Sequence, residues 1–206
     1  MLDLLENAGI GKLERAIAIG VVIAVVLLLV ADLLLGRHVV TFDLLGISTL
    51  VRWLHVLSGV MWIGLLWYFN FVQIPSMPKI PDEQKPAVSK VIAPTALFWF
   101  RWAALATVIT GLLLAWVNGY IGQALILGLS VGGGRATAIG IGMWLGLIMA
   151  YNVWMIIWPN QQKALGLVEA TPDEKKAAAR TAMLTSRLNT VLSIPMLYFM
   201  VAAKMY

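Results

Sequence analysis

The chain has 206 residues, of which 61% are hydrophobic and 12% charged, with a formal charge of +5. A soluble domain carries about 25% charged residues, so this composition excludes an ordinary water-facing surface and leaves lipid to solvate much of the chain. The lack of cysteine excludes disulfides, thiolate metal sites and c-type haem attachment but not a histidine-held b-type haem, and the scattered basic residues make no nucleic-acid footprint.

A spanning helix needs about 20 mainly apolar residues. Stretches of that kind predict an all-α fold: one transmembrane domain over residues 1–206, an integral membrane bundle of about five helices. The first span is 16–35, too long for a signal-peptide core and so expected to be retained. Lys12 and Arg15 precede it and Asp32 lies near its end. The second is 50–74. The connector from Pro75 to Pro86 is expected to be irregular. The third is 94–117 and contains Arg101. A glycine-rich turn, Gly128 to Gly134, separates it from the fourth, 136–158, which Pro159 is expected to stop. Within the fourth span, Gly142, Gly146 and Ala150 form a small-residue face for close packing. Thr171-Pro172-Asp173-Glu174 has the pattern of a capped helix start. The alanine-rich stretch after it should be helical and run into the fifth span, 182–203.

Cytoplasmic loops carry excess Lys and Arg. An inner N-terminus puts Lys12, Arg15, Lys79, Lys85, Lys90, Lys163, Lys175, Lys176, Arg180 and Arg187 inside. Arg37, Arg52, Arg135 and Lys204 are then outside. The expected topology is N-in, C-out.

Ionisable groups within spans are functional candidates by default. His55 lies in the outer half of the second span, with Gly59 four and Trp62 seven residues on, all on one face. A small residue one turn from a histidine lets a flat macrocycle approach, which suits an axial haem ligand. The alternative is a histidine bonded to a neighbouring helix or reaching the outer interface. His38, the other histidine, could complete a bis-histidine site or be a solvated loop residue. Arg37 and Arg52 could meet haem propionates. Asp32 could pair with either arginine or relay protons. Arg101 could reach inward to the interface or bind an anionic substrate or propionate. Arg187 with Asn189 could be a topology anchor, a helix–helix pair or part of a catalytic site.

Four strings carry a family resemblance. The first is Arg52-Trp53-Leu54-His55-Val56 with Gly59, Trp62-Ile63-Gly64 and Tyr68-Phe69-Asn70. The second is Phe98-Trp99-Phe100-Arg101-Trp102 with Thr110-Gly111. Then come Asn152-Val153-Trp154 with Ile157-Trp158-Pro159-Asn160-Gln161, and Ser186-Arg187-Leu188-Asn189 with Ser193-Ile194-Pro195-Met196. In order and spacing they resemble the membrane domain of the bacterial urate hydroxylase (PuuD) family, over most of the chain from residue 48. The resemblance implies a multi-pass oxidoreductase of the bacterial inner membrane that hydroxylates urate and passes electrons to cytochrome c. Two departures stand out. No cytochrome c module is present, so a separate acceptor is expected, and Ala103-Ala104 stand where the family's third span has a glutamate. A looser similarity extends to protoporphyrinogen oxidases of the HemJ type, which implies haem ligation by His55, and to copper-resistance proteins of the CopD type.

The leading expectation is a urate-hydroxylase-like redox protein with one b-type haem on His55, a small-molecule substrate and an external acceptor. Two alternatives belong to other classes. One is a non-enzymatic accessory subunit of a respiratory or transport complex. The other is copper handling by His38, His55 and the dispersed Met77, Met143 and Met155, since thioethers suit copper(I).

Overall fold

The computed structural model describes residues 12–35, 41, 43–130 and 132–205. Two units are distinguishable, Met1–Ile47 and Ser48–Tyr206. Among the described residues every regular element is helical. Four helical runs are long and apolar enough to cross a membrane: Leu13–Leu34, Leu44–Lys79, Lys85–Val117 and Arg135–Ala164. This is a membrane protein.

The first unit holds helix α1, Leu13–Leu35. It is apolar on every face, the pattern of a helix solvated by hydrocarbon rather than water. In the second unit four long helices close a ring. Helix α2, Leu44–Trp67, continues through a wide π turn, Tyr68–Gln73, into the short α3, Ile74–Ser76. After a turn, α4 (Lys85–Ala87) leads through a second π turn, Val88–Ile92, into α5, Ala93–Val117. The short α6, Ile121–Leu125, precedes α7, Arg135–Tyr151. A third π turn, Asn152–Ile157, joins α7 to α8, Trp158–Ala164. Helix α9, Pro172–Ala202, closes the ring.

The three runs of the second unit are 36, 33 and 30 residues long. At 1.5 Å per residue the shortest is about 45 Å, well beyond the ~30 Å hydrocarbon thickness. Proline explains why the sequence pattern understates them. Pro75, Pro94 and Pro159 each stand two residues after the end of a π turn. A proline ring collides with the carbonyl four residues back and offers no N–H. Widening the preceding turn makes room: Ile74, Ala93 and Trp158, each just before a proline, bond back five residues to the carbonyls of Phe69, Val88 and Val153. Pro159 therefore does not stop its helix, which reaches Ala164. The connector expected to be irregular over Pro75 to Pro86 is largely helical, broken near residues 80–84. Pro195 sits inside α9 without such a turn, so a proline alone does not dictate one.

The capping box at α9 forms as the residues predict. Thr171 Oγ1 accepts the Glu174 N–H, and Glu174 Oε2 accepts the Thr171 N–H at 2.7 Å. The helix runs unbroken into the segment expected to span. That segment is not among the four runs apolar enough to cross by composition, because it carries Arg187, Asn189, Ser186 and Ser193.

The core is a layer of Trp62, Leu66, Phe69, Phe100, Met149 and Val153, with Phe69 and Phe100 edge to face at 5.7 Å. Gly142 admits α9: a β-carbon there would lie 3.2 Å from the Met200 backbone nitrogen.

Candidate functional site

His55 sits on α2 with its ring turned toward α5. Its Nδ1 lies 3.0 Å from the Thr107 carbonyl oxygen and 3.3 Å from Thr110 Oγ1. A carbonyl can only accept, so Nδ1 carries the proton. The Thr110 hydroxyl donates to the Ala106 carbonyl at 2.6 Å, leaving a lone pair toward the ring. With Nδ1 protonated, Nε2 keeps its lone pair, and among the described residues no hydrogen bond engages it. This is the arrangement that orients a metal-ligating histidine, in which the far ring nitrogen is anchored to a backbone carbonyl.

The room for this ring comes from Gly111, not Gly59. A β-carbon at Gly111 would stand 2.9 Å from His55 Cε1. His55, Gly59 and Trp62 do share one face, but that face packs on α5. The β-position of Gly59 is in ordinary contact with Thr107 Cγ2 at 3.9 Å. Trp62 is 1% exposed, and its indole N–H has no acceptor. The histidine thus meets the chemistry of an axial ligand, while the space expected beside Gly59 is taken by a neighbouring helix. His38 and Arg37 lie outside the described residues.

Arg52, one turn before His55, is half-buried at the end of the ring that holds Ser48, Asn118, Tyr120 and Arg135. Asn118 Nδ2 donates to Ser48 Oγ at 2.9 Å and ties α2 to the end of α5. Burial pushes the Tyr120 phenol above its ordinary pKa, partly offset by the Arg52 and Arg135 cations.

The other three candidates do not converge. Asn189 is fully buried. Its Oδ1 accepts from Asn152 Nδ2 at 2.8 Å and its Nδ2 donates to the Met149 carbonyl at 3.0 Å. Both ends of the amide are used in joining α9 to α7 and its π turn. Arg187, two residues earlier, is exposed. Arg101 faces α8: its guanidinium carbon lies 3.1 Å from the centre of the Trp158 ring and 5.9 Å from that of Trp154.

Sequence reasoning missed a polar ladder on the inward face of α9. Ser186 Oγ accepts from Asn70 Nδ2 at 2.8 Å, and Ser193 Oγ accepts from Trp67 Nε1 at 3.1 Å. The spacing Ser186, Asn189, Ser193 at i, i+3, i+7 was the available signal.

These joints between α7, α8 and α9 coincide with the segment that known proteins share. Residues 126–205 match the urate oxidase N-terminal family. The match bears out the urate-hydroxylase resemblance on α7, the Asn152–Ile157 π turn, α8 and α9. It includes Arg187 and Asn189 but neither His55 nor Arg101. No curated protein and no solved structure matches the chain, and nothing supports the similarity to the HemJ or CopD types.

Proposed function

We propose that this chain is a urate-hydroxylase-type redox protein of the bacterial inner membrane, with five spans, its N-terminus inside and its C-terminus outside. In this reading His55 Nε2 would hold a b-type haem, which would supply electron transfer to a separate cytochrome c-like acceptor. The observation that carries the reading is the Nδ1–H bond to the Thr107 carbonyl, which fixes the tautomer a ligand needs.

A b-type haem, when bound, supplies one-electron transfer at a potential tuned by its ligand and surroundings. The chain's own part is ligation and positioning. Thr107 and Gly111 hold the imidazole at a set angle, and Arg52, one turn away, offers a cation for a propionate. The topology rests on charge: the connector from Lys79 to Lys90 and the one from Lys163 to Lys175 join successive ring helices at one end, while Arg52 and Arg135 mark the other.

The test is an absorption spectrum of the detergent-purified protein, made with haem supplied during expression. A Soret band is expected, lost in His55→Ala and shifted in Gly111→Ala, whose new methyl would displace the ring. A colourless wild-type protein sinks the proposal. One observation favours a second reading, a non-enzymatic accessory subunit: the bond to Thr107 and the fit over Gly111 also account for His55 as a lock between α2 and α5. A haem-free chain that co-purifies stoichiometrically with a larger respiratory complex would establish that reading instead.

A further inference from the structure

Arg101 is a charge without a counter-ion. Among the described residues it forms no ion pair, and its buried Nε–H has no acceptor. The Trp154 indole N–H beside it has none either, with the guanidinium carbon 5.9 Å from that ring. Stacking on Trp158 offsets part of the cost, but an unpaired cation at the edge of the hydrocarbon still calls for an anion. Both open groups are donors, so what they lack is an acceptor.

Beside them runs a groove. Arg101, Leu105 and Val108 stand at i, i+4 and i+7 on one face of α5. Leu105 and Val108 form one wall of a groove of about 400 Å³, and Leu147, Ala150 and Trp154 form the other. Its lining is apolar along its length, and Trp154 joins it to Arg101. The depth also fits. Arg101 lies sixteen residues from the Val117 end of α5, about 24 Å. Its side chain reaches farther from that end, to Trp158, close to the ~30 Å hydrocarbon thickness. The guanidinium therefore sits near the headgroup level on the side where Lys90 and Lys163 lie, residues that raise the local concentration of anionic lipid.

We propose that this groove binds one anionic phospholipid, its phosphate at the partly exposed Arg101 guanidinium and one acyl chain between α5 and α7. A neutral quinone would leave the charge unpaired, so the anionic lipid is favoured. The proposal is independent of any haem at His55, which faces α5 from α2.

Native mass spectrometry of the full chain in detergent tests it. Wild type, Arg101→Gln and Val108→Trp, the last filling the groove, are titrated with phosphatidylglycerol, phosphatidylethanolamine of the same acyl chains, or ubiquinone. Melting curves establish which variants are folded. One phosphatidylglycerol is expected to bind wild type at least about tenfold tighter than the other two, and each folded variant should lose that preference. Equal binding of phosphatidylethanolamine or tighter binding of ubiquinone by wild type overturns the proposal whatever the variants do. So does a folded Arg101→Gln protein with undiminished preference.

Discussion

Replacing Asn189 with alanine tests the joint on which α9 depends. The change removes two hydrogen bonds, Asn152 to Asn189 at 2.8 Å and Asn189 to the Met149 carbonyl at 3.0 Å. Interhelical hydrogen bonds within membranes average about 0.6 kcal/mol and reach about 1.7, so the two together contribute roughly 1–3 kcal/mol. The side chain is fully buried, and the hole it leaves adds about 1 kcal/mol more. The expected loss is about 2–4 kcal/mol, read by equilibrium unfolding in mixed micelles with increasing SDS. Arg187→Ala, two residues away and exposed, should stay within about 0.5 kcal/mol of wild type. A double-mutant cycle with Asn152→Ala should show coupling of at least about 0.5 kcal/mol. If Asn189→Ala unfolds like wild type, or the cycle shows no coupling, the buried amide is not holding the helices together.

Two other predictions concern the π turn before Pro159 and the cap of α9. Pro159→Ala removes the reason for the five-residue bond from Trp158 to Val153. Return to α geometry would rotate Trp158 by about 100°, off the Arg101 guanidinium. The 19F resonance of fluorotryptophan at position 158, assigned with Trp158→Phe, should shift, and an unchanged resonance refutes proline as the cause of the turn. The Glu174 carboxyl is held below the usual glutamate range, first by the Thr171 backbone N–H and then by its hydroxyl. Because the folded value is the lower one, its contribution to the cap is complete above the unfolded pKa and fades as pH falls through the folded value. Amide protection factors, corrected for the intrinsic pH dependence of exchange, should therefore fall in the first turns of α9 below about pH 4 and lose that fall in Glu174→Gln. Equal pH dependence in both proteins would place the effect elsewhere.

The parts of this fold legible in the sequence are those written in consecutive residues. Apolar runs located the helices, the Thr171–Glu174 box located the start of α9, and the glycine spacing of α7 located a close approach. The π turns were not legible, because a proline in isolation marks a break. Whether the chain ends there or widens depends on what packs beside it. The surroundings of His55 were hidden for a related reason. Its partner, Thr107, is 52 residues away, and the glycine that admits its ring, Gly111, is on α5. Spacing along one helix shows which residues share a face but not which helix covers it. Asn189 and Arg187, adjacent in a motif, proved to be on different sides of α9 for the plainest reason: two residues are about 200° of helix.

Helix α9 falls short of the hydropathy of a span, and the placement of its polar residues shows why. Its polar groups point into the ring: Ser186, Asn189 and Ser193 are all buried and hydrogen-bonded to α2, its π turn or α7 and its π turn. Its exposed face is Leu184, Leu188, Val191, Ile194, Tyr198 and Val201, a stripe at three- and four-residue spacing with Arg187 at one end, where its long stem can carry the charge toward the interface. In water this arrangement is untenable, since it exposes the apolar side and buries the polar one. In hydrocarbon it is the favourable arrangement, because inward hydrogen bonds satisfy groups that lipid cannot. An average over the helix counts the buried polar atoms against insertion, although they face the neighbouring helices. The outward face of α9 beyond Arg187 is apolar, and, Arg187 apart, the residues that lower its mean hydropathy are those that fasten it to its neighbours.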